Sequence, residues 1–108
     1  PQDERMIEAF SGIFSNKAQD GFCRISDLLP ELCVALRMSP WAAVAQIQRL
    51  IQENRFPDLS FSSAAGSQVT ARDQIVRGHL VDIETVPIPM DRLTVGDRPA
   101  FMVSRRPS

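Results

Sequence analysis

The sequence is poor in the residue types that build catalytic and metal sites. It has one histidine and two cysteines, without Cys-x-x-Cys or His-Glu-x-x-His spacing. Lys17 is its only lysine, and no Gly-x-x-x-x-Gly-Lys phosphate loop is present. His79 stands near Asp82 and Glu84, but strand alternation places His79 and Asp82 on opposite faces. We therefore expect a non-catalytic protein with no metal and no cofactor.

Long apolar runs and a secretion signal are also missing. No stretch approaches the roughly 20 apolar residues of a membrane span, and no basic segment followed by an apolar one begins the chain. Cys23 and Cys33 lie in apolar patterns and are too few for a disulfide framework. We expect a cytoplasmic protein with reduced thiols and no membrane partner.

The chain also lacks an excess of basic charge. The 12 lysines and arginines face 13 aspartates and glutamates, so the formal net charge is −1. Nucleic-acid binders usually carry a basic excess because neutralisation of phosphates dominates their affinity. Any contact of this chain with nucleic acid therefore depends on local clusters of arginine.

The composition that remains is that of an ordinary globular domain. At 108 residues, 44% hydrophobic and 23% charged, the chain is long enough for one core without metal or disulfide support. It begins with proline, and we interpret it as a piece cut from a longer polypeptide. No internal repeat is visible.

Three segments carry the apolar spacing of amphipathic helices. The first runs from Asp3 to Asn16, with one stripe formed by Met6, Ile7, Phe10, Ile13 and Phe14. The second runs from Ser26, as its N-cap, to Arg37, with Pro30 in or just after the first turn. The third is capped by Ser39 and runs to about Asn54. The link of two or three residues between the last two predicts a sharp corner.

After the third helix the apolar period shortens to that of strands. Residues 58–63 and 100–104 alternate as half-buried strands do, and a turn is predicted at 95–99. Residues 69–78 have the cap and stop residues of a short helix. Residues 79–89 predict an edge strand or an extended arm, because two prolines end the alternation.

The order helix, short strand, helix, tight turn, helix and β-hairpin resembles a winged helix-turn-helix domain over nearly the full length. Phe-Cys-Arg at 22–24 is the small first strand, and 39–54 corresponds to the recognition helix. Residues 58–63 and 100–106 correspond to the wing strands, separated by an insertion at 63–92 that a simple wing lacks. The resemblance implies an α+β fold, as in modules of larger prokaryotic proteins. Residues 1–57 would form the three-helix core and 58–108 the wing.

The third helix has two faces at about 100° per residue. The apolar side gathers Trp41, Val44, Ile47 and Ile51, with Leu50 and Ala43 at its margin. The opposite side gathers Ala42, Gln46, Arg49 and Glu53. These are also common residues on any solvated helix face.

The resemblance implies that this polar face enters the major groove of double-stranded DNA. Ala42 would permit close approach, Gln46 would pair with adenine and Arg49 with guanine. Arg98 in the 95–99 turn would reach a phosphate as the wing tip. The full set of predicted DNA-binding residues is Ala42, Gln46, Arg49, Arg98, Arg105 and Arg106. Arg92 belongs to the same wing segment as Arg98, and the aspartates near these arginines weaken the positive charge of the segment.

The alternative is a winged helix that serves as a protein interaction or dimerisation module. The near-neutral charge favours it, as does the apolar segment 79–89, whose edge could extend the sheet of a partner or of a second copy.

Overall fold

The described part of the chain has a mixed α+β fold. A computed structural model describes residues 2–63, 73–76, 79–82 and 92–106. Within them lie three helices: α1 (Gln2–Lys17), α2 (Ile25–Leu36) and α3 (Pro40–Gln52). The first and third predicted helices are confirmed to within two residues at each end. The second begins one residue earlier than predicted.

In the same described ranges, seven short strands form one three-stranded sheet and two hairpins. They are β1 (Phe22–Arg24), β2 (Leu59–Ser62), β3 (Asp73–Val76), β4 (His79–Asp82), β5 (Thr94–Val95), β6 (Arg98–Pro99) and β7 (Met102–Arg105). The sheet has the antiparallel order β1-β7-β2. Val103 in the centre of β7 therefore lies opposite Cys23 on one side and Phe61 on the other. The predicted pairing of the 58–63 and 100–106 segments is confirmed.

The chain enters β1 through a tight turn after α1. Asp20 and Gly21 both adopt positive φ, 54° and 81°. Gln19 and Phe22 on either side exchange backbone hydrogen bonds of 2.9 and 3.0 Å. An Asp-Gly pair suits two consecutive left-handed residues because glycine has no Cβ to clash. The turn brings the end of α1 back alongside the sheet.

The start of α2 differs from the prediction at Ser26. Arg24 occupies the N-cap position without a side-chain cap bond, and Ser26 is a buried residue of the first turn. The predicted Ser26 cap is therefore wrong: strand β1 leads directly into the helix, so the helix begins before the serine. Pro30 lies inside α2, at a position where its ring nitrogen cannot donate a hydrogen bond to the Ser26 carbonyl.

A three-residue corner joins α2 to α3. Arg37 adopts the left-handed conformation, with φ of 53°, and the Met38 N–H donates to the Cys33 carbonyl at 3.0 Å. This Schellman arrangement satisfies the last carbonyls of α2. Ser39 then caps α3, its Oγ accepting the Ala42 N–H at 3.1 Å, as predicted. The two helices meet at a bend of 108°.

The core lies between the three helices and the sheet. Phe10 of α1 packs on Phe56 and Phe61, with ring centroids 4.9 and 5.8 Å away. Leu93 and Ala100 join it from the segment around β5 and β6. Each large buried apolar side chain contributes about 1.5–3 kcal/mol. The largest of these side chains are Phe10, Phe14, Met6, Ile25, Leu28, Leu29, Leu32, Ile47, Leu50, Leu93 and Val44.

The predicted helix at 69–78 is wrong where the structure describes it. Residues 73–76 form β3, which pairs with β4 in a hairpin. Ile75 and Val76 are β-branched and favour a strand, and the pairing outweighs the weak local cap and stop signals. Residues 69–72 and 77–78 lie outside the described residues.

Two other predictions at this end of the chain hold in part. The strand at 79–89 is confirmed for 79–82, while 83–89 lie outside the described residues. The strand predicted at 100–104 begins two residues later than predicted, at Met102.

No single helix within the described ranges is long and apolar enough to span a membrane. Taken together, α2 and α3 have the length and composition of a membrane span, but a bend of 108° separates the two helices.

Candidate functional site

Helix α3 presents an outer face that differs from the predicted one. Its buried residues are Ala43, Val44, Ile47 and Leu50, and Trp41 is 52% exposed. The prediction that Trp41 belongs to the buried side is wrong. The buried stripe is turned by about 60° at 100° per residue, because small Ala43 packs inward in place of the indole. The outer face, called here the α3 face, consists of Trp41, Ala42, Ala45, Arg49 and Gln52.

Arg92 covers part of the exposed indole. Its guanidinium carbon lies 4.8 Å from the centroid of the Trp41 ring, within the range of a cation–π interaction. The two residues are 51 positions apart, so no local pattern predicts their contact. The pair places a positive charge at the beginning of the α3 face.

The β5–β6 hairpin is fixed against α3 by Gln48. The Gln48 side chain donates from Nε2 to Thr94 Oγ1 at 2.9 Å and accepts the Thr94 N–H at 2.7 Å. Gly96 in the hairpin turn has φ of 63°, a conformation suited to glycine. Arg98 pairs with Val95 across the hairpin and is exposed. The predicted wing-tip arginine therefore lies in a hairpin that is bonded to α3 at Gln48.

The other flank of α3 is engaged by the start of α1. Gln46 donates from Nε2 to Asp3 Oδ1 at 3.1 Å and to the Gln2 carbonyl at 3.3 Å. Arg49 Nη1 donates to Asp3 Oδ2 at 3.1 Å, and a second ion pair joins it to Glu53 at 3.3 Å. Two of the side chains predicted to read bases, Gln46 and Arg49, are therefore held by carboxylates and a backbone carbonyl of the chain itself.

These contacts shift the ionisation of the Asp3–Arg49 pair. Hydrogen bonds from Arg49, and then from Gln46, lower the pKa of Asp3 from 3.8 to about 2. The hydrogen bond to Asp3 likewise raises the pKa of Arg49. Asp3 is therefore an anion at any physiological pH and competes with any phosphate for Arg49.

The structure separates Arg105 from the α3 face. Arg105 donates to Ser15 Oγ at 3.1 Å, and its guanidinium lies 5.6 Å from the Phe14 ring. Ser15 and Asp3 are at opposite ends of α1, about 18 Å apart at 1.5 Å per residue. Arg106 donates to the Leu59 carbonyl at 3.3 Å. Of the predicted set, Ala42 and Arg49 lie on the α3 face, and Arg98 lies in the hairpin that Gln48 bonds to α3.

Arg37 is a further candidate contact residue that was missed by sequence reasoning. It is exposed in the corner that leads into α3. Its position two residues before the Ser39 cap is the signal that could have identified it, since the first helix of a helix-turn-helix crosses the DNA backbone next to the recognition helix. The first turn of α3 contains no acidic residue, so Arg37 and Arg92 have no carboxylate within that turn.

Nucleophilic and metal chemistry finds no support in the described residues. Cys23 and Cys33 are free, and burial raises the pKa of each thiol to about 11, which leaves little reactive thiolate at neutral pH. Within the described ranges, no group of three or more histidine, cysteine, aspartate or glutamate side chains could hold a metal ion. His79 and Asp82 stand at opposite ends of β4, and Glu84 lies outside the described ranges.

Comparisons of the chain with protein-family models, with curated proteins and with solved structures found no match. Function is therefore inferred from the α3 face, the hairpin bonded to α3 by Gln48, and three exposed arginines of the corner, the indole contact and the hairpin: Arg37, Arg92 and Arg98. These residues are called here the α3–hairpin surface.

Proposed function

We propose that the chain is a non-catalytic winged-helix module that binds double-stranded DNA within a larger protein. The order of the elements, the 108° corner between α2 and α3, and the antiparallel pairing of β2 with β7 support this fold. In this proposal α3 approaches the major groove, and the β5–β6 hairpin acts as the wing tip.

The observation that carries the proposal is the attachment of the hairpin to α3 by Gln48. The two hydrogen bonds to Thr94 attach the hairpin that carries Arg98 to α3, whose outer face has the small residues Ala42 and Ala45 that permit close approach. A rigid pair of helix and hairpin can contact a groove and the adjacent phosphates at once.

The proposed contacts are mainly with phosphates. Arg37 lies in the corner before α3, Arg92 lies over Trp41, and Arg98 lies in the hairpin. Arg49 and Gln46, in contrast, are already bonded to Asp3. Reading of bases by these two would require Asp3 to move. We therefore expect modest sequence preference and an affinity that depends strongly on salt.

The test is a fluorescence-anisotropy titration with a random-sequence duplex at about 50 and 200 mM salt. Neutralisation of three phosphates predicts a loss of roughly 40-fold in affinity between these salt concentrations. Arg98→Gln should weaken binding and reduce the salt slope by about one unit. Arg105→Gln is the matched control, because it removes the same charge at the Ser15 end of α1.

Equal binding by the Arg98→Gln variant and the parent would contradict the proposed surface. Absence of binding at both salt concentrations, at high micromolar protein, would overturn DNA binding itself and favour the second candidate.

That second candidate is a protein interaction module, and Phe22 is the observation that favours it. Phe22 is 51% exposed on β1, an edge strand of the sheet. Edge strands can pair with a strand of a partner, and an exposed aromatic ring strengthens such an interface. The test is sedimentation of the chain over a range of concentrations without DNA. A mass above that of the monomer, lost in Phe22→Ser, would support this candidate.

A further inference from the structure

On the α3–hairpin surface, Trp41 is a half-exposed aromatic side chain with the Arg92 guanidinium over its ring. Phe10, Phe14 and Phe56 are almost fully buried, whereas Trp41 keeps half of its side chain in contact with solvent. Its ring is not needed to fill the core, because Ala43 and Val44 do so in the same turn. A half-exposed aromatic ring with a guanidinium group beside it can stack with a further planar group.

We propose that this pair is a stacking site for an unpaired base, so that the module prefers duplex DNA with a single-stranded extension over fully paired duplex. The inference rests on the proposed function and names the class of DNA that the same surface would select. Bases stack on aromatic rings with little dependence on sequence, and an arginine beside the ring strengthens the stack.

The neighbours of Trp41 leave room for a planar ring. Ala42 follows it, and Ala45 lies one turn further along the same side; both are exposed and have short side chains. Gln48, the next residue along this side, is bonded to Thr94 of the hairpin. A base could therefore lie against the part of the indole that Arg92 leaves exposed, with only short side chains of α3 beside it.

The charges around the ring match a nucleotide rather than an uncharged apolar partner. Arg92 lies over the indole, Arg37 precedes α3, and the first turn of α3 has no acidic residue. The phosphates on either side of a stacked base would meet these guanidinium groups. Inside a fully paired duplex the base faces are already stacked on one another, so an unpaired base has a free face for the indole that the internal bases lack.

The chain supplies its own reporter for the test, because it contains one tryptophan and no tyrosine. A blunt duplex and the same duplex with a short thymidine extension are titrated into the 108-residue chain. Tryptophan emission and the anisotropy of the labelled DNA are recorded together. We expect the extended duplex to bind at least about five-fold more tightly, the smaller end of the range for one stacked base, and to quench Trp41 emission.

Matched variants separate stacking from general affinity. Trp41→Leu keeps apolar bulk but removes the ring, so the ratio of its affinities for the extended and the blunt duplex should fall to about one, whatever its affinity for the blunt duplex. Trp41→Phe should retain part of the preference. Circular dichroism of each variant should match the parent, since residue 41 is half exposed.

Three results would overturn the inference. Equal affinity of the parent for blunt and extended duplex would contradict stacking while leaving duplex binding intact. Absence of binding to either DNA would reject both proposals. A change of Trp41 emission that follows protein concentration without DNA would show that the ring is buried in a protein interface.

Discussion

Asp3 connects the first helix to the third through Gln46 and Arg49. Its carboxylate accepts hydrogen bonds from both side chains, and about a quarter of the Asp3 side chain is exposed. We predict that Asp3→Asn lowers the melting temperature at neutral pH, because the uncharged amide forms a weaker bond with Arg49. Thermal unfolding followed by circular dichroism measures the difference.

The difference between Asp3→Asn and the parent should disappear in acid. The pKa of Asp3 is about 2 in the folded chain against 3.8 for a free aspartate, so the folded state favours the charged form. That stabilisation is complete above about pH 4 and is lost as pH falls through about 2. The two melting temperatures should therefore converge toward pH 2.

Arg49→Gln is the control for this pH dependence. It keeps Asp3 but removes the strongest cause of its low pKa. In this background Asp3→Asn should have a smaller effect at neutral pH. An unchanged effect would show that Arg49 does not stabilise the Asp3 carboxylate.

At the residue scale, prediction from sequence succeeds for local interactions and fails for distant ones. The Ser39 cap is a contact between neighbours, with its Oγ accepting the Ala42 N–H three residues on, and it was predicted. The Asp3–Arg49 ion pair and the Trp41–Arg92 stack join residues 46 and 51 positions apart. Their existence depends on how helices pack, which the period of one helix does not specify.

At the scale of helices and strands, prediction again succeeds for local patterns and fails where distant contacts decide. The three helices and strand β2 have clear apolar periods, and these were predicted nearly to their ends. The segment 73–76 carries cap and stop residues that are compatible with a helix, yet pairing with β4 makes it a strand. Helix α3 was predicted correctly as an element, but its rotation about its own axis was set by the packing of Ala43.

Gln48 is the contact that joins two elements of the proposed site. Its side chain makes both hydrogen bonds to Thr94, so Gln48→Leu would leave the partly buried Thr94 N–H without this acceptor. We predict a loss of about 1–3 kcal/mol in the free energy of unfolding, measured by urea denaturation. Affinity for duplex DNA should fall as well, because Arg98 is no longer held beside α3.

Thr94→Val is the matched control for the hairpin. It removes the hydroxyl that accepts from Gln48 but keeps the backbone N–H bond to Gln48 Oε1. The expected loss in unfolding free energy is about 0.5–1.5 kcal/mol, with DNA affinity close to that of the parent. If Gln48→Leu bound DNA as tightly as the parent, the fixed hairpin would have no part in binding.

At the scale of the whole molecule, the sheet joins the two ends of the described chain. Strand β7 comes from the last residues of the chain and lies between β1 and β2. Val103 is fully buried in the core formed mainly by the helices. The helices and the late strands therefore belong to one cooperative unit, although the α-helical segments end fifty residues or more before β7 begins.

We predict that a chain ending after Phe101 loses cooperative unfolding altogether. Without β7, strands β1 and β2 have no partner within the described sheet, and Cys23 and Leu59 become exposed at its open edges. The burial of Val103 alone contributes about 1.5–3 kcal/mol, and the lost strand pairing adds to this, against a typical total stability of about 5–15 kcal/mol. Thermal scans by circular dichroism should show weak helical signal and no sharp transition. A chain ending after Arg106 keeps β7 and should melt like the parent; a sharp transition in the shorter chain would show that the helices fold without the sheet.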